Sequence, residues 1–196
     1  MYKLGITGGI GSGKSTASEY LLLKDGVHIF NADKESKKRL KNSLSLQNKL
    51  INIFGNEITN GRKIILSKLA SVAFSNQLNQ NLLNGIMWPE ILLLIDKTIK
   101  KKKKEKIKLF IVDAALIFEG NLHTVLDGVL LIKTDVLLRK QRAVKRTNIS
   151  LLEIEKRMAL QMEEDDKEKL ADFIIENNYN KENMYKKIES LYKKIL

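Results

Sequence analysis

Cysteine is absent from the 196 residues. That excludes disulfides, thiolate metal sites and a cysteine nucleophile, and it suits a reducing compartment such as the cytosol. Proline occurs once, and no linker rich in proline, glycine or serine interrupts the chain. The composition therefore reads as one compact, helix-rich protein. Aromatic residues make up 6% and are not interleaved with the basic ones, which argues against a base-stacking nucleic-acid surface. No stretch approaches the roughly 18 consecutive apolar residues of a membrane-spanning helix. The first residues do not read as a secretory leader, because their short apolar run ends at once in glycines. A cytoplasmic protein is expected.

What is plentiful is lysine. The chain carries 35 Lys and Arg against 23 Asp and Glu, a net charge of +12. Three explanations stay open: a nucleic-acid surface, a lysine-rich solvated surface, or a site for a polyanionic small molecule. The excess is dispersed, which weighs against nucleic acid. Lys100 to Lys104 form one run of five. It reads either as a phosphate contact or as a solvated helix end whose charge suits the macrodipole. Oligomeric state is left undecided.

The chain is organised around its first sixteen residues, MYKLGITGGIGSGKST. Gly8, Gly13, Lys14 and Ser15 fit the pattern G-x-x-x-x-G-K-[ST]. Small residues through Gly11, Ser12 and Gly13 let the backbone curl round an anion with its N–H groups inward. Lys14 can reach the β- and γ-phosphates of a nucleotide, and the Ser15 hydroxyl can bind Mg²⁺. Lys3 to Thr7 before the loop reads as a buried strand. Ala17, Tyr20 and Leu21 after it recur at helical spacing, so the loop leads into a helix N-terminus.

Val27 to Phe30 reads as a second strand ending at Asn31-Ala32-Asp33, with His28 a packed strand residue rather than a ligand. From Lys34 to Glu105 no strand is expected. Leu46, Leu50 and Phe54, then Leu69 and Ala73, then Trp88, Ile91, Ile95 and Ile99 mark helical faces, and Pro89 suits the first turn of the last helix. Ile107 to Val112 is a strand ending at Asp113, and Val129 to Ile132 another. A helix follows Asp135 with Leu138, Arg139, Arg142 and Arg146. Ser150-x-x-Glu153 is a capping box. Phe173 to Ile175 is a fifth strand, and Met184, Ile188, Leu191 and Ile195 stripe a last helix. Apolar strands alternating with helices predict an α/β fold, a parallel five-stranded sheet covered on both faces.

In such sheets ligands bind beyond the carboxyl ends of the strands. Lys14, Ser15, Asp33 and Asp113 are expected to converge there. A phosphate loop facing a carboxylate suits phosphoryl transfer to a hydroxyl, with Asp33 accepting the proton. Asp33 is alternatively an N-cap for a helix starting near Lys34, and Asp113 a strand-end turn residue. Arg142 and Arg146, one helical turn apart, can neutralise developing charge, or simply sit on a solvated face.

These residues resemble those of one family. Gly8 to Thr16 (GGIGSGKST), the Asn31-Ala32-Asp33 corner, Asp113 with Leu116 to Glu119 (LIFE), Arg142 with Arg146, Arg157 to Gln161 (RMALQ) and Ala171 to Asn177 (ADFIIEN) are similar in order and spacing to the motifs of dephospho-CoA kinases. The resemblance implies a P-loop kinase that uses ATP and Mg²⁺ to phosphorylate the ribose 3′-hydroxyl of dephospho-CoA. It implies that Gly11, Ser12, Gly13, Lys14, Ser15 and Thr16 bind ATP, that Asp33 is the base, and that Asn177 lies near the adenine. It also implies a nucleotide-binding core of residues 1–33, 106–138 and 166–196, a helical CoA-binding insertion at 34–105, and a lid at 139–165. The chain departs from the family pattern at Asn31, Trp88 and Ala115. Two rivals remain: another P-loop nucleoside or nucleotide kinase, and a nucleic-acid-associated ATPase.

Overall fold

The computed structural model describes residues 1–61, 63–146 and 149–196. The described chain divides into two compact units, Met1–Asn31 with Asp96–Leu196, and Ala32–Ile95.

The first unit holds strands β1 (Tyr2–Thr7) and β2 (Val27–Asn31), and the second a two-stranded hairpin, β3 (Thr59–Asn60) and β4 (Lys63–Ile64). Strands β5 (Leu109–Asp113), β6 (Gly128–Lys133) and β7 (Phe173–Glu176) complete the first unit. Its five strands lie in the order β2-β5-β1-β6-β7, and every pairing is parallel. Period-two alternation sends Leu4, Ile6, Leu109, Ile111, Leu130 and Ile132 to one face. They pack there with Ala17 and Leu21 of α1 (Lys14–Leu22) and Met184, Ile188 and Leu191 of α9 (Lys181–Ile195). Phe110, Val112, Val129 and Leu131 are equally buried from the alternate positions. Burial on both faces is why these strands read as nearly unbroken apolar runs.

The second unit carries α2 (Ala32–Asn42), α3 (Leu44–Phe54) and α4 (Leu66–Ala73). Ser43 caps α3 by accepting from the Leu46 N–H, and Gly55 ends it at φ 80°. Leu46, Leu50 and Phe54 pack with Leu40, Ile58, Leu69, Ala73 and Ile86 into a separate apolar core. The hairpin was not expected from the sequence. It pairs Thr59 with Ile64 and Asn60 with Lys63, around the Asn60-Gly61 turn, and two residues a side are too few for alternation to show.

Pro89 also departs from expectation. It lies inside one continuous helix, α5 (Gln77–Lys104), instead of opening a new one. Proline lacks the N–H that would bond the carbonyl of Gly85 and crowds that turn. Buried Gln80 and Ile86 before it and Ile91 and Ile95 after it keep both halves in one helix. The lysine run forms the last turn of α5, with Lys100 paired to Asp96 at 2.6 Å and Lys102 to Glu105 at 2.5 Å.

The remaining helices, α6 (Val136–Arg146), α7 (Leu151–Ala159) and α8 (Glu164–Leu170), belong to the first unit. Ser150 caps α7 through the Glu153 N–H. The proposed lid segment includes Thr147 and Asn148, which lie outside the described residues.

Candidate functional site

Strand register assembles the site. Asn31, Asp113 and Ile6 are lateral neighbours at the carboxyl ends of β2, β5 and β1, one residue before Thr7 hands the chain to the loop. The loop then turns into α1 through Gly13, which sits at φ 96°. A side chain is excluded twice over at Gly11 and Gly13. Both have left-handed φ, and a β-carbon would strike the Arg139 carbonyl at Gly11 or the Asn177 amide at Gly13. Lys14, Ser15 and Thr16 fill the first turn of α1, where backbone N–H groups have no intrahelical acceptor. Their partial positive charge, with the Lys14 ammonium, makes an anion site.

Lys14 is already engaged. Its Nζ pairs with Asp113 Oδ1 at 2.5 Å, and Asp113 is 2% exposed. Asn31 donates from Nδ2 to the other carboxylate oxygen at 3.3 Å. Asp113 is thus an ion-pair partner of the loop lysine and more than a turn residue. The Ser12 carbonyl accepts from Thr134 Oγ1 at 3.0 Å and from Asn177 Nδ2 at 2.8 Å. Asn177 in turn offers its carbonyl to Arg142 Nη1 at 3.0 Å. Asn177 is buried against the loop, and its side-chain amide donates to the Ser12 carbonyl. Arg146 projects into solvent.

Asp33 is exposed and lies within the first turn of α2. The helix starts at Ala32, directly after β2, so Asp33 is not its N-cap. A carboxylate there still stabilises the helix through the macrodipole. His28 packs its ring 5.5 Å from that of Phe110, and among the described residues no group of three or more His, Cys, Asp or Glu could hold a metal ion.

The sequence reading passed over Arg139. It is 8% exposed, its guanidinium lies where a β-carbon on Gly9 would sit, and it pairs with Glu164 at 2.8 Å. Burial holds the Glu164 carboxyl above its usual range, with Arg139 and Lys167 pulling it down. Lys167 is buried and pairs with Glu119 at 3.1 Å. The only sequence signal was a third arginine on the helix of Arg142 and Arg146. In the second unit, Trp88 buries its indole N–H without an acceptor among the described residues.

The family model for dephospho-CoA kinase, CoaE, matches residues 2–183. The chain belongs to the dephospho-CoA kinase family. The dephospho-CoA kinase of Fusobacterium nucleatum is 37% identical over 188 residues, covering 95% of this chain and 94% of that one. Among solved structures, one from Thermus thermophilus is similar at a TM-score of 0.81 and 25% identity, covering 100% of this chain and 98% of that one. The dephospho-CoA kinase of Campylobacter jejuni is similar at a TM-score of 0.67 and 28% identity, covering 98% and 96%. As a member of the dephospho-CoA kinase family, the chain is a P-loop kinase with a five-stranded parallel sheet, and no described helix is long and apolar enough to cross a membrane.

Proposed function

We propose that this protein transfers the γ-phosphoryl group of ATP to the ribose 3′-hydroxyl of dephospho-CoA in the cytoplasm, yielding coenzyme A and ADP. The observation that carries the reading is the phosphate loop. It is tied to β5 through Lys14 and Asp113 and to the loop after β7 through Ser12 and Asn177, in a chain matched by the family over residues 2–183.

The loop amides of Gly11 to Thr16 hold the phosphates, and Lys14 leaves Asp113 for the β- and γ-oxygens as they arrive. Preorganised donors of this kind stabilise charge developing on the transferring group without reorganising. Mg²⁺ suits the donor set: it takes hard oxygen ligands, keeps several waters and leans on substrate phosphates. The Ser15 hydroxyl in the first turn of α1 would hold it, with Asp113 freed from Lys14 beside it, and it would neutralise phosphate charge. Asp33, exposed two residues beyond Asn31, orients the acceptor hydroxyl and takes its proton as oxygen bonds to phosphorus and the bond to ADP breaks. Arg142 and Arg146 supply positive charge from the lid, residues 139–165, and Asn177 shapes the adenine side of the loop. Residues 34–105 receive the CoA portion.

The test is a panel of acceptors with ATP and Mg²⁺, read by ADP release. Turnover is expected with dephospho-CoA, to be abolished by chelation, with the new phosphate on the 3′-oxygen by ³¹P NMR. Turnover with a nucleoside or nucleoside monophosphate instead, or ATPase activity that needs DNA, would overturn the reading.

A further inference from the structure

Two stretches singled out in the sequence, Leu116–Glu119 and Arg157–Gln161, have no part in the reaction as described above. The structure brings Gln161 to the phosphate loop and ties Glu119 to the residue that follows it. Gln161 follows the end of α7, where its N–H donates to the Met158 carbonyl at 3.1 Å. Its side-chain Oε1 accepts from the Ile10 N–H at 3.2 Å. A backbone N–H only donates, so this bond settles which way the amide faces. Oε1 lies on the loop, and Nε2 carries two donor protons. No acceptor among the described residues takes them up.

The segment that carries Gln161 is firmly fixed. The next residue, Met162, donates its N–H to Glu119 Oε1 at 2.9 Å. Lys167, 1% exposed, pairs with the same oxygen. Glu164 pairs with Arg139 at 2.8 Å, and Arg139 lies against Gly9 and Gly11. Among the described residues, Glu119 Oε2 and Glu164 Oε1 are buried without a geometric hydrogen-bond partner. Unpaired buried oxygens raise the energy of the folded chain, so the surroundings hold this segment in place against a local cost. The result is an oriented amide donor at the loop's edge.

We propose that Gln161 donates from Nε2 to the phosphoryl group being transferred, while its Oε1 stays on Ile10. This rests on the ATP reading above. The loop amides from Gly11 onward lead into α1 and take the inner phosphates. Ile10 lies three residues after β1, on the strand side of the loop, and a donor fastened there is assigned to the outer, transferable phosphate. A donor met only by that phosphate separates triphosphate from diphosphate, which a mere prop of the loop does not do.

The experiment is calorimetric titration of the full chain with Mg²⁺, using ADP and the β,γ-imido analogue of ATP, on wild type, Gln161→Ala and Gln161→Glu. For Gln161→Ala the expected result is a loss for the triphosphate about tenfold larger than for ADP, the scale of one hydrogen bond to a charged group. kcat should fall more than KM rises, and Tm should change little. Gln161→Glu can still accept from Ile10 but cannot donate, so it should show the same altered ratio of triphosphate to diphosphate affinity. Equal losses for both nucleotides in Gln161→Ala, with recovery in Gln161→Glu, would reduce Gln161 to a prop and overturn the proposal. So would unchanged binding in Gln161→Ala. A wild-type chain that binds neither nucleotide overturns the ATP reading itself, and this inference with it.

Discussion

The two units use their polar groups differently. Around the phosphate loop nearly every functional side chain is fastened to something: Lys14 and Asn31 to Asp113, Asn177 and Thr134 to the Ser12 carbonyl, Arg142 to the Asn177 carbonyl, Arg139 to Glu164. In Ala32–Ile95 an Arg39–Glu90 ion pair joins α2 to α5, and the polar contacts of Gln47 and Lys68 close helix ends and turns. Gln47 Nε2 donates to the Leu40 and Lys41 carbonyls, and Lys68 Nζ to the Thr59 carbonyl. The rest of that unit is held by its apolar core, and Asp33 stands exposed. Polyphosphate binding needs fixed dipoles, because stabilisation of developing charge is lost if they must first reorganise. An acceptor needs groups that are free to meet it. The contrast sets where a substitution should register: in activity alone, in stability alone, or in both.

The largest expected effect is at an exposed group. Asp33→Asn should lower kcat by about 10²- to 10⁴-fold, the span of a general base. Thermal stability should hold, since no described contact is lost and only a favourable helix-end charge disappears. Coupled ADP release and calorimetry measure both. A mutant with most of its kcat rules Asp33 out as the base.

Next comes the loop lysine, where both quantities should move. Lys14→Met should reduce kcat/KM by about 10²-fold or more. It should also cost up to about 3 kcal/mol of stability, because Asp113 is left buried without its cation. Adding Asp113→Asn should return much of the stability and none of the activity. A singly mutated chain as stable as wild type would show the ion pair to be energetically empty.

Gln47→Ala sharpens the contrast from the other side. The buried Leu40 carbonyl and the partly buried Lys41 carbonyl lose their donor, so about 1–2 kcal/mol of stability should go, with kcat unchanged. A drop in kcat matching that at Lys14 would break the division between the units.

The smallest effect concerns acid stability. Burial, helped by Lys102, holds the His28 imidazole below its ordinary value of 6.5. The folded chain therefore takes up this proton at lower pH than the unfolded chain does. Stability from keeping His28 neutral is present above about 6.5 and is lost as pH falls through the lower folded value. His28→Phe should flatten that part of a Tm-against-pH curve. An unchanged slope would place the proton uptake elsewhere.

Much of this was legible in the residues. The glycine and lysine spacing named the loop, and apolar runs named the five sheet strands. The rest depended on partners that spacing does not record. Pro89 reads locally as a helix start, and only burial on both sides of it joins α5. Asp33 reads as a cap because the pattern does not say that α2 begins at Ala32. Arg139 looks like its neighbours on α6, and only the close approach of glycine backbone singles it out. Asp113 becomes an ion-pair partner through strand order, since Asn31 and Ile6 flank it only after residues far apart in the chain have paired.

That strand order also governs how the molecule can be made. The loop's own strand, β1, has no sheet neighbour within the first hundred residues: its partners start at Leu109 and Gly128. Pairings at such separation close large loops and form slowly. During synthesis β1 leaves the ribosome with its apolar residues bare and waits for most of the chain to follow. A nascent chain stalled before Leu109 carries every residue of the phosphate loop and has no platform on which to shape it. Nucleotide capture by this protein therefore waits for strands made about a hundred residues after the loop that performs it.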